Sequence, residues 1–429
     1  MLKAKVRRAL AIGVTPAALM LRVAILRTLH RLPEATNQPP PLIQRIFFSF
    51  PYHSVGDLIL SLTLLDRIHD LWPAAEIDFA VGASMALLVD AIPYVHRTFS
   101  LRRTRTRYAW MDTYAQIRDE TKLFQSEIAG TEYDLAIAPR WDSADSFFSA
   151  YLAYLTGAPI RCGYSGILDG GTPQVDRLLT VAAKGGANEH ESLRYTRLLG
   201  RCGLEPEDTV GQQESQRTIR SLTTIAQARR LSGLNGIAPR EHNENYVVFS
   251  PGATSGRRMW PIHRFAEVGR SLHQRFGLTT LVIGSPADAA LCQELVSLIG
   301  KTALSMAGRT DPLQMLDLLA GARFFLGNDS GPAHMAGGLG VDTIVVSPFP
   351  ASCTADHPNS PQRFRPAGPH VQVLQPQNPL APCAPTCLQD APHCILQITP
   401  EEVFAYSERA VLRSQMERKT DQGEGLCGS

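Results

Sequence analysis

Residues 326–346 read LGNDSGPAHMAGGLGVDTIVV, and this stretch predicts a strand, a polar turn, a helix and a second strand. Phe324–Leu326 is an apolar run suited to a buried strand, and Thr343–Val346 is another. Between them, Ser330 is placed to cap a helix, and Pro332 falls in its first turn, where a missing N–H costs nothing. Strands that alternate with helices are typical of a parallel α/β sheet.

The start of that helix is a candidate anion site. The first N–H groups of a helix have no intrahelical partner and carry the positive end of its dipole. Asp329, Ser330 and Gly331 form the turn, and His334 falls in the first helical turn, within reach of the same anion. The alternative is an ordinary strand-to-helix turn with a capping serine.

Composition limits the class of protein. The chain has 429 residues, enough for two domains, and is 44% hydrophobic and 19% charged, which is typical of a soluble globular protein. The net charge of +2 predicts no broad nucleic-acid surface, so we expect no nucleic-acid partner. Eight cysteines in so long a chain favour a reducing compartment, and we predict a cytoplasmic location.

Residues 1–40 are predicted to form a basic amphipathic extension and linker. The apolar stretch Ala9–Leu21 is too short to span a bilayer, and no small-residue cleavage site follows it, as a secretory signal would need. We expect peripheral contact with an anionic membrane, on the cytoplasmic face of the inner membrane. A loosely packed extension is the alternative. The basic residues at its start are Lys3, Lys5, Arg7 and Arg8.

Two successive series of strands and helices predict two parallel-sheet domains that face a cleft. We place the first domain at 41–205, a connection at 206–244, the second domain at 245–398, and a terminal helix and tail at 399–429. The predicted strands are Arg45–Phe50, Ile77–Val81, Leu135–Ala138, Tyr246–Ser250, Thr280–Ile283, Phe324–Leu326 and Thr343–Val346. The predicted helices are Val55–Leu71, Ser84–Val89, Ser143–Leu155, Leu222–Leu231, Pro261–Phe276, Ala287–Leu298, Pro312–Ala320, Ala333–Leu339 and Pro400–Met416, with disorder after Lys419.

A second motif, SPGATSGRRMWP at residues 250–261, begins at the last residue of the predicted strand YVVFS, residues 246–250. Its small residues and two arginines form a loop suited to wrapping a diphosphate, and Pro261 is predicted at the first helical position. An arginine pair in a loop is more often a solvated surface. The candidate ligands are the groups of Gly252, Thr254, Ser255, Arg257 and Arg258.

A third motif, YHSVGDLILSLTLL at residues 52–65, lies at the end of the first predicted strand. Gly56 permits close backbone approach, and Asp57 begins an apolar helix. Such an aspartate is often only a helix cap, but a carboxylate at a strand end facing a cleft also suits a general base.

Together these motifs resemble glycosyltransferase family 9, the lipopolysaccharide heptosyltransferases and their relatives. The resemblance spans roughly residues 44–410, and its carriers are SVGDLILSLTLLDRIHDLWP (54–73), SPGATSGRRMWPIHRFAEVGRSL (250–272), LVIGSPADAA (281–290) and GNDSGPAHMAGGLGVDTIVVSPF (327–349). It implies a GT-B fold of two Rossmann-like domains, an acceptor bound mainly by the first and a nucleotide-sugar by the second. It also implies inverting transfer without a metal or other cofactor.

The resemblance also implies roles for particular residues. Asp57 would be the general base, and Arg258 would neutralise the leaving diphosphate, which the helix start with Ser330, Gly331 and His334 would hold. Asp288 would bind the ribose hydroxyls. Ser330 stands where many members have threonine, and Arg258 where lysine is common, which keeps the charge but changes its geometry.

The implied donor is ADP-heptose, and the implied acceptor is a lipopolysaccharide core or another lipid-linked or surface glycan. Ser54, Gly56 and the basic residues Arg102, Arg103 and Arg105 are candidate acceptor contacts, although a basic run is ordinarily a solvated face. The alternatives are a UDP- or GDP-sugar donor, or a non-catalytic nucleotide-binding protein recruited to membranes. A dehydrogenase is disfavoured, because neither SFPYHSVGD nor SPGATSGRR is a Gly-x-Gly-x-x-Gly turn.

Cys383, Cys387, His393 and Cys394 form C-x3-C-x5-H-C, a pattern that suggests zinc. The spacing is not a standard one, adjacent His393 and Cys394 are awkward ligands for one tetrahedral site, and three prolines stiffen the loop. We therefore predict free or loosely paired thiols and no metal site, with a structural metal or a disulfide as the alternative.

Overall fold

The computed structural model describes residues 42–102, 109–140, 145–168, 173–185, 189–206, 209–233, 245–354, 360–384 and 387–424. The predicted extension 1–40 and the candidate residues Arg103 and Arg105 lie outside these ranges. The chain divides into two compact units. The first contains the residues up to Ser54, Ser61–Ala187 and Leu193–Gly211; the second contains Val55–Leu60, Asn188–Ser192 and everything from Gln212.

The first unit is built on a six-stranded, wholly parallel sheet in the order β3-β2-β1-β4-β5-β6. Its strands are β1 Arg45–Phe50, β2 Glu76–Gly82, β3 Val95–Leu101, β4 Leu135–Ala138, β5 Ile160–Tyr164 and β6 Val181–Ala183. The helices along this part of the chain are α1 Val55–Leu71, α2 Ala86–Asp90, α3 Ala109–Leu123, α4 Asp145–Leu155, α5 Glu191–Thr196 and α6 Leu198–Arg201.

The second unit has another six-stranded parallel sheet, in the order β12-β11-β10-β7-β8-β9. Its strands are β7 Tyr246–Ser250, β8 Thr279–Val282, β9 Ala303–Ser305, β10 Phe325–Asn328, β11 Thr343–Val346 and β12 Val371–Leu374. Its helices are α7 Arg220–Leu231, α8 Ile262–Phe276, α9 Ala289–Ile299, α10 Pro312–Gly321, α11 Gly331–Gly338, α12 Pro361–Phe364 and α13 Pro400–Glu424.

Both sheets have the same topology, because in each the first strand lies between the second and the fourth. The direction of winding reverses there, so the loops that leave the carboxyl ends of the two central strands diverge and open a crevice. In the second unit those strands are β7 and β10. The two candidate phosphate-binding motifs follow these two strands, and the fold thus places both at the switch point of one sheet.

The α/β class is confirmed, and β1, α1, β4, β7 and β11 have the predicted bounds. Two local predictions were wrong. Pro261 is the N-cap of α8 rather than its first residue, since its ψ of 134° is not helical. The helix α13 continues past Lys419 to Glu424, where we predicted disorder.

A continuous apolar core supports the second sheet. It joins Phe249 and Val282 from the strands to Phe265 on α8 and Val403 and Val411 on α13. Within the described ranges, no helix combines the length and apolarity needed to cross a bilayer.

Candidate active site

Asn328 ties together the two central strand ends of the second sheet. It is fully buried, and its Nδ2 donates to the Pro251 carbonyl at 2.6 Å while its Oδ1 accepts from the Trp260 amide at 2.9 Å. One carboxamide therefore holds both ends of residues 251–260, which we call the donor loop. We did not predict this role, because the loop contacts lie 77 and 68 residues away in sequence.

Arg258 is held at the switch point by Asp329. The 3₁₀ turn Gly256–Arg258 brings the guanidinium to the end of β10, where Nη2 donates to Asp329 Oδ2 at 2.5 Å and to the Asp329 carbonyl at 3.1 Å. The Arg258 side chain is 19% exposed. Its Nε is buried without a hydrogen-bond partner in the described part of the chain, as is that of Arg257. Asp329 thus orients a cation that keeps donors for a further acceptor.

The helix α11 begins immediately after this pair. Ser330 is its N-cap, as predicted, but the hydroxyl does not cap the helix and donates instead to the Asn328 carbonyl at 3.1 Å. Pro332 lies in the first turn. The amides at this helix start therefore lack a side-chain cap, and they face the same strand end as Arg258.

His334 lies beneath these groups, 5% exposed. Burial lowers the pKa of His334, and Arg258 lowers it further, whereas Asp329 and Asp57 raise it. Its Nε2 lies 3.9 Å from Asp329 Oδ1, and its Nδ1 is buried with no partner among the described residues. The ring is thus neutral at pH 7, and one of its nitrogens keeps its hydrogen-bonding capacity unused among the described residues.

The first residues of α1 pack against this site as part of the second unit. A Cβ on Gly331 would lie 2.6 Å from Val55 Cβ, and a Cβ on Gly56 would lie 2.8 Å from His334 Cδ2. Only glycine permits this approach at either position. Asp57, in the first turn of α1, interacts electrostatically with His334. The structure therefore brings Asp57 to the helix start that carries His334.

The remaining candidate residues lie in a helix cap, in the donor loop and on the exposed surface of the first unit. Asp288 forms a capping box with Ser285, accepting from its amide at 2.9 Å and its hydroxyl at 2.6 Å. Its carboxylate also lies against Gly252, where a Cβ would approach to 3.0 Å. Thr254 is exposed and Ser255 half-buried in the donor loop. In the first unit Ser54 and Arg102 are both exposed.

His190 is a buried neighbour of the site that sequence reasoning missed. Its Nε2 lies 2.7 Å from the Arg365 carbonyl and its Nδ1 lies 2.7 Å from Ser192 Oγ. Burial, aided by the charge of Arg365, lowers the pKa of His190 to about 3. Its partner is 175 residues distant, and no local pattern signals that contact.

Comparison with known proteins identifies relatives of this chain. The model of glycosyltransferase family 9 (heptosyltransferase) matches residues 121–387. Lipooligosaccharide heptosyltransferase 2 of Haemophilus ducreyi is 24% identical over 321 residues, which cover 72% of this chain and 84% of that protein. Lipopolysaccharide heptosyltransferase 2 of Escherichia coli is 24% identical over 306 residues, covering 68% of this chain and 79% of that protein.

Solved structures share the fold. A family 9 glycosyltransferase from Veillonella parvula has a TM-score of 0.66 at 18% identity, covering 88% of this chain and 100% of its own. The Escherichia coli heptosyltransferase WaaC, solved with ADP, has a TM-score of 0.63 at 18% identity, covering 86% of this chain and 100% of its own. These likenesses confirm a GT-B fold.

Proposed function

This chain belongs to glycosyltransferase family 9 and is a glycosyltransferase, and we propose that it transfers a heptose from ADP-heptose to a lipopolysaccharide core or related cell-surface glycan. The observation that carries the proposal is the meeting of Asp57 with the start of α11, beside His334 and the Arg258–Asp329 pair. The structure of Escherichia coli WaaC with ADP supports an adenine nucleotide as donor.

The donor diphosphate would bind at the switch point of the second sheet, where Arg258 and the amino-terminal end of α11 supply positive charge. Arg258 is pre-oriented by Asp329, and the uncapped amides of α11 supply further donors without reorganisation. The neutral imidazole of His334 donates or accepts one hydrogen bond there. These groups would stabilise the charge that develops as the diphosphate leaves, so that the transfer would proceed without a divalent cation. Arg257, Thr254 and Ser255 would contact the same diphosphate from the donor loop.

Asp57 would act as general base. It removes the proton from the acceptor hydroxyl as that oxygen bonds to the anomeric carbon and the bond from that carbon to the diphosphate oxygen breaks. Attack from the face opposite the leaving group inverts the anomeric centre. Ser54, Gly56 and Arg102, with Arg103 and Arg105, would contact the acceptor. Peripheral contact with an anionic membrane through residues 1–40 would bring a lipid-linked acceptor close.

The role of Asp57 is tested by Asp57→Asn, which removes the base and keeps the shape. We expect turnover with ADP-heptose and a core acceptor to fall about 10²–10⁴-fold, because a positioned base contributes that much, while ADP affinity measured by calorimetry is retained. The exposed Asp90 of α2 provides the control, and Asp90→Asn should turn over normally. Unchanged turnover in Asp57→Asn would refute its role as base.

The donor is tested by calorimetric binding of ADP, UDP, GDP and CMP, each with and without EDTA. We expect ADP to bind preferentially and EDTA to leave its affinity unchanged. Preference for UDP or GDP would replace the proposed donor, and loss of binding in EDTA that Mg²⁺ or Mn²⁺ restores would refute metal independence. ADP binding without turnover of any sugar nucleotide would instead indicate the non-catalytic alternative.

A further inference from the structure

Three cysteines and a histidine converge in the loop between β12 and α13. The Sγ atoms of Cys383, Cys387 and Cys394 and a ring nitrogen of His393 all lie within 4.8 Å of one another. The cysteines form a small buried cluster of their own, each no more than 4% exposed. The convergence is therefore a property of the fold and not of the short sequence spacing alone.

Three of the spacings inside this cluster are close to the edges of a zinc tetrahedron, and all of them lie within 4.8 Å. With Zn–S near 2.3 Å and Zn–N near 2.05 Å, ideal tetrahedral angles place two sulfurs about 3.8 Å apart and a sulfur and nitrogen about 3.6 Å apart. The Cys383 and Cys387 sulfurs are 4.0 Å apart. His393 Nδ1 lies 3.5 Å from Cys383 Sγ and 3.5 Å from Cys394 Sγ.

A disulfide explains the cluster less well. Bonded sulfurs are about 2.05 Å apart, about half the observed Cys383–Cys387 distance. All three cysteines are free thiols in this structure. The Leu388 amide points at Cys383 Sγ from 3.3 Å, as an N–H does toward a metal-bound thiolate that needs neutralising. Three buried thiols and an imidazole whose ligand atoms lie within 4.8 Å of one another form a cage rather than ordinary apolar packing.

We propose that Cys383, Cys387, His393 and Cys394 bind a structural zinc ion. Three thiolates and one imidazole form a complete tetrahedral set of the kind found in structural sites, with no position left for water or substrate. The ion would therefore take no part in sugar transfer, and the proposed metal-independent chemistry is unaffected. This proposal replaces our sequence-based expectation of free thiols.

The segment that carries the four proposed zinc ligands, residues 383–394, supports the donor loop. The Asp390 carbonyl lies where a Cβ on Gly256 would approach to 2.8 Å, so the turn that carries Arg258 rests on the segment between Cys387 and His393. Just beyond Cys394, the Ile398 carbonyl accepts from Trp260 Nε1 at 3.0 Å and from Arg264 Nη1 at 2.7 Å. Zinc would thus hold in place the surface on which the donor loop lies.

Metal analysis of the purified full-length protein tests the proposal directly. After extensive gel filtration in buffer with a chelator, elemental mass spectrometry should find about one zinc per chain. Replacement by Co²⁺ should give the visible absorption of a tetrahedral, thiolate-ligated ion. A chain without stoichiometric metal, whose three thiols are alkylated without denaturant, would overturn the proposal. So would an intact mass lower by two hydrogen atoms, since the formation of a disulfide removes them.

Single substitutions locate the site. Cys387→Ser should lose the bound zinc, whereas Cys353→Ser, which removes an equally buried thiol outside the cluster, should retain it. Equal zinc content in the two variants would refute the assignment. We further expect weaker ADP binding by Cys387→Ser, an expectation that rests on the proposed donor site. If Cys387→Ser loses zinc but binds ADP as tightly as the wild-type protein, the metal does not support the donor loop. The assignment of the zinc site would be unaffected by that result.

Discussion

His190 is held in its neutral form by its neighbours. The Ser192 amide points at Nδ1 from 3.3 Å, so Nδ1 must be the acceptor, and Nε2 is left to donate to the Arg365 carbonyl. A second ring proton would meet that amide. The hydrogen-bond geometry and the pKa of about 3, which is lowered chiefly by burial, therefore both indicate a neutral His190.

This histidine makes stability depend on pH. The unfolded chain takes up the proton near pH 6.5 and the folded chain only near its pKa of about 3. The neutral His190 therefore contributes fully to the free energy of unfolding above pH 6.5. This contribution is lost at about 1.4 kcal/mol per pH unit as the pH falls toward 3. We expect His190→Gln to remove about 2 kcal/mol of the fall in unfolding free energy between pH 7 and pH 5, measured in urea.

The control for this prediction is an exposed histidine of the same unit. His263 lies on the outer face of α8, and His263→Gln should leave the pH dependence of the wild-type protein intact. If His190→Gln also keeps the full wild-type slope between pH 7 and pH 5, His190 does not fold in the neutral form.

The donor loop is an element without regular structure whose conformation depends on one side chain. In Asn328→Ala the buried Pro251 carbonyl and Trp260 amide both lose their partner. An unpaired buried group costs about 1–3 kcal/mol, so with two such groups we expect a loss of about 2–6 kcal/mol in unfolding free energy and weaker ADP binding. Urea titration and calorimetry measure the two effects.

The matched substitution is Asn378→Ala, at an exposed asparagine in the loop after β12. It should change the unfolding free energy by less than about 0.5 kcal/mol and leave ADP binding alone. Similar losses in both variants would mean that the Asn328 carboxamide does not anchor the donor loop.

All but one of the interior strands were predictable from the sequence, and the edge strands were not. In β7 every residue is buried, and its first four residues, YVVF, form a continuous apolar run that is followed by turn residues. The edge strand β3 buries only two of its seven residues and carries polar ones, so no such run marks it. The fully buried β5 was missed because of Arg161, whose guanidinium donates to the Leu178 and Ala158 carbonyls inside the fold.

The same distinction holds for the candidate site. Motifs with their own local physics, such as the helix start at Ser330, are visible in sequence because cap, proline and helix are adjacent. Asn328 and His190 are polar residues whose partners come from distant segments. Only the folded chain shows what they do, and no pattern of neighbours distinguishes them from ordinary turn residues.

Ligand binding should affect the whole molecule unevenly. ADP bound in the second unit should suppress local opening there, and at 100 times Kd amide exchange limited by such opening slows about 100-fold. We expect protection in residues 251–260 and 329–338 and at the start of α1, which belongs to the same unit. Peptides from β2 and β3 should exchange as before, as measured by hydrogen-exchange mass spectrometry.

Two results would contradict this expectation. Protection confined to peptides of the first sheet would place the nucleotide in the wrong unit. Equal slowing of every peptide would mean that ADP acts only on global unfolding rather than on the loops at the switch point. Peptides from the exposed carboxyl-terminal end of α8, residues 273–275, should exchange at the same rate with and without ADP and so provide an internal reference within the second unit.

The contact of Val55 with Gly331 sets an order of events during synthesis. The two residues are 276 positions apart in the chain, from 55 to 331. At about 5–20 residues per second a ribosome needs about 14 to 55 seconds to cover that interval. The strands of the first sheet, which end at Ala183, emerge long before then. The surroundings of Asp57 are therefore completed only late in translation, and a chain released before residue 331 lacks them even where its first sheet has formed.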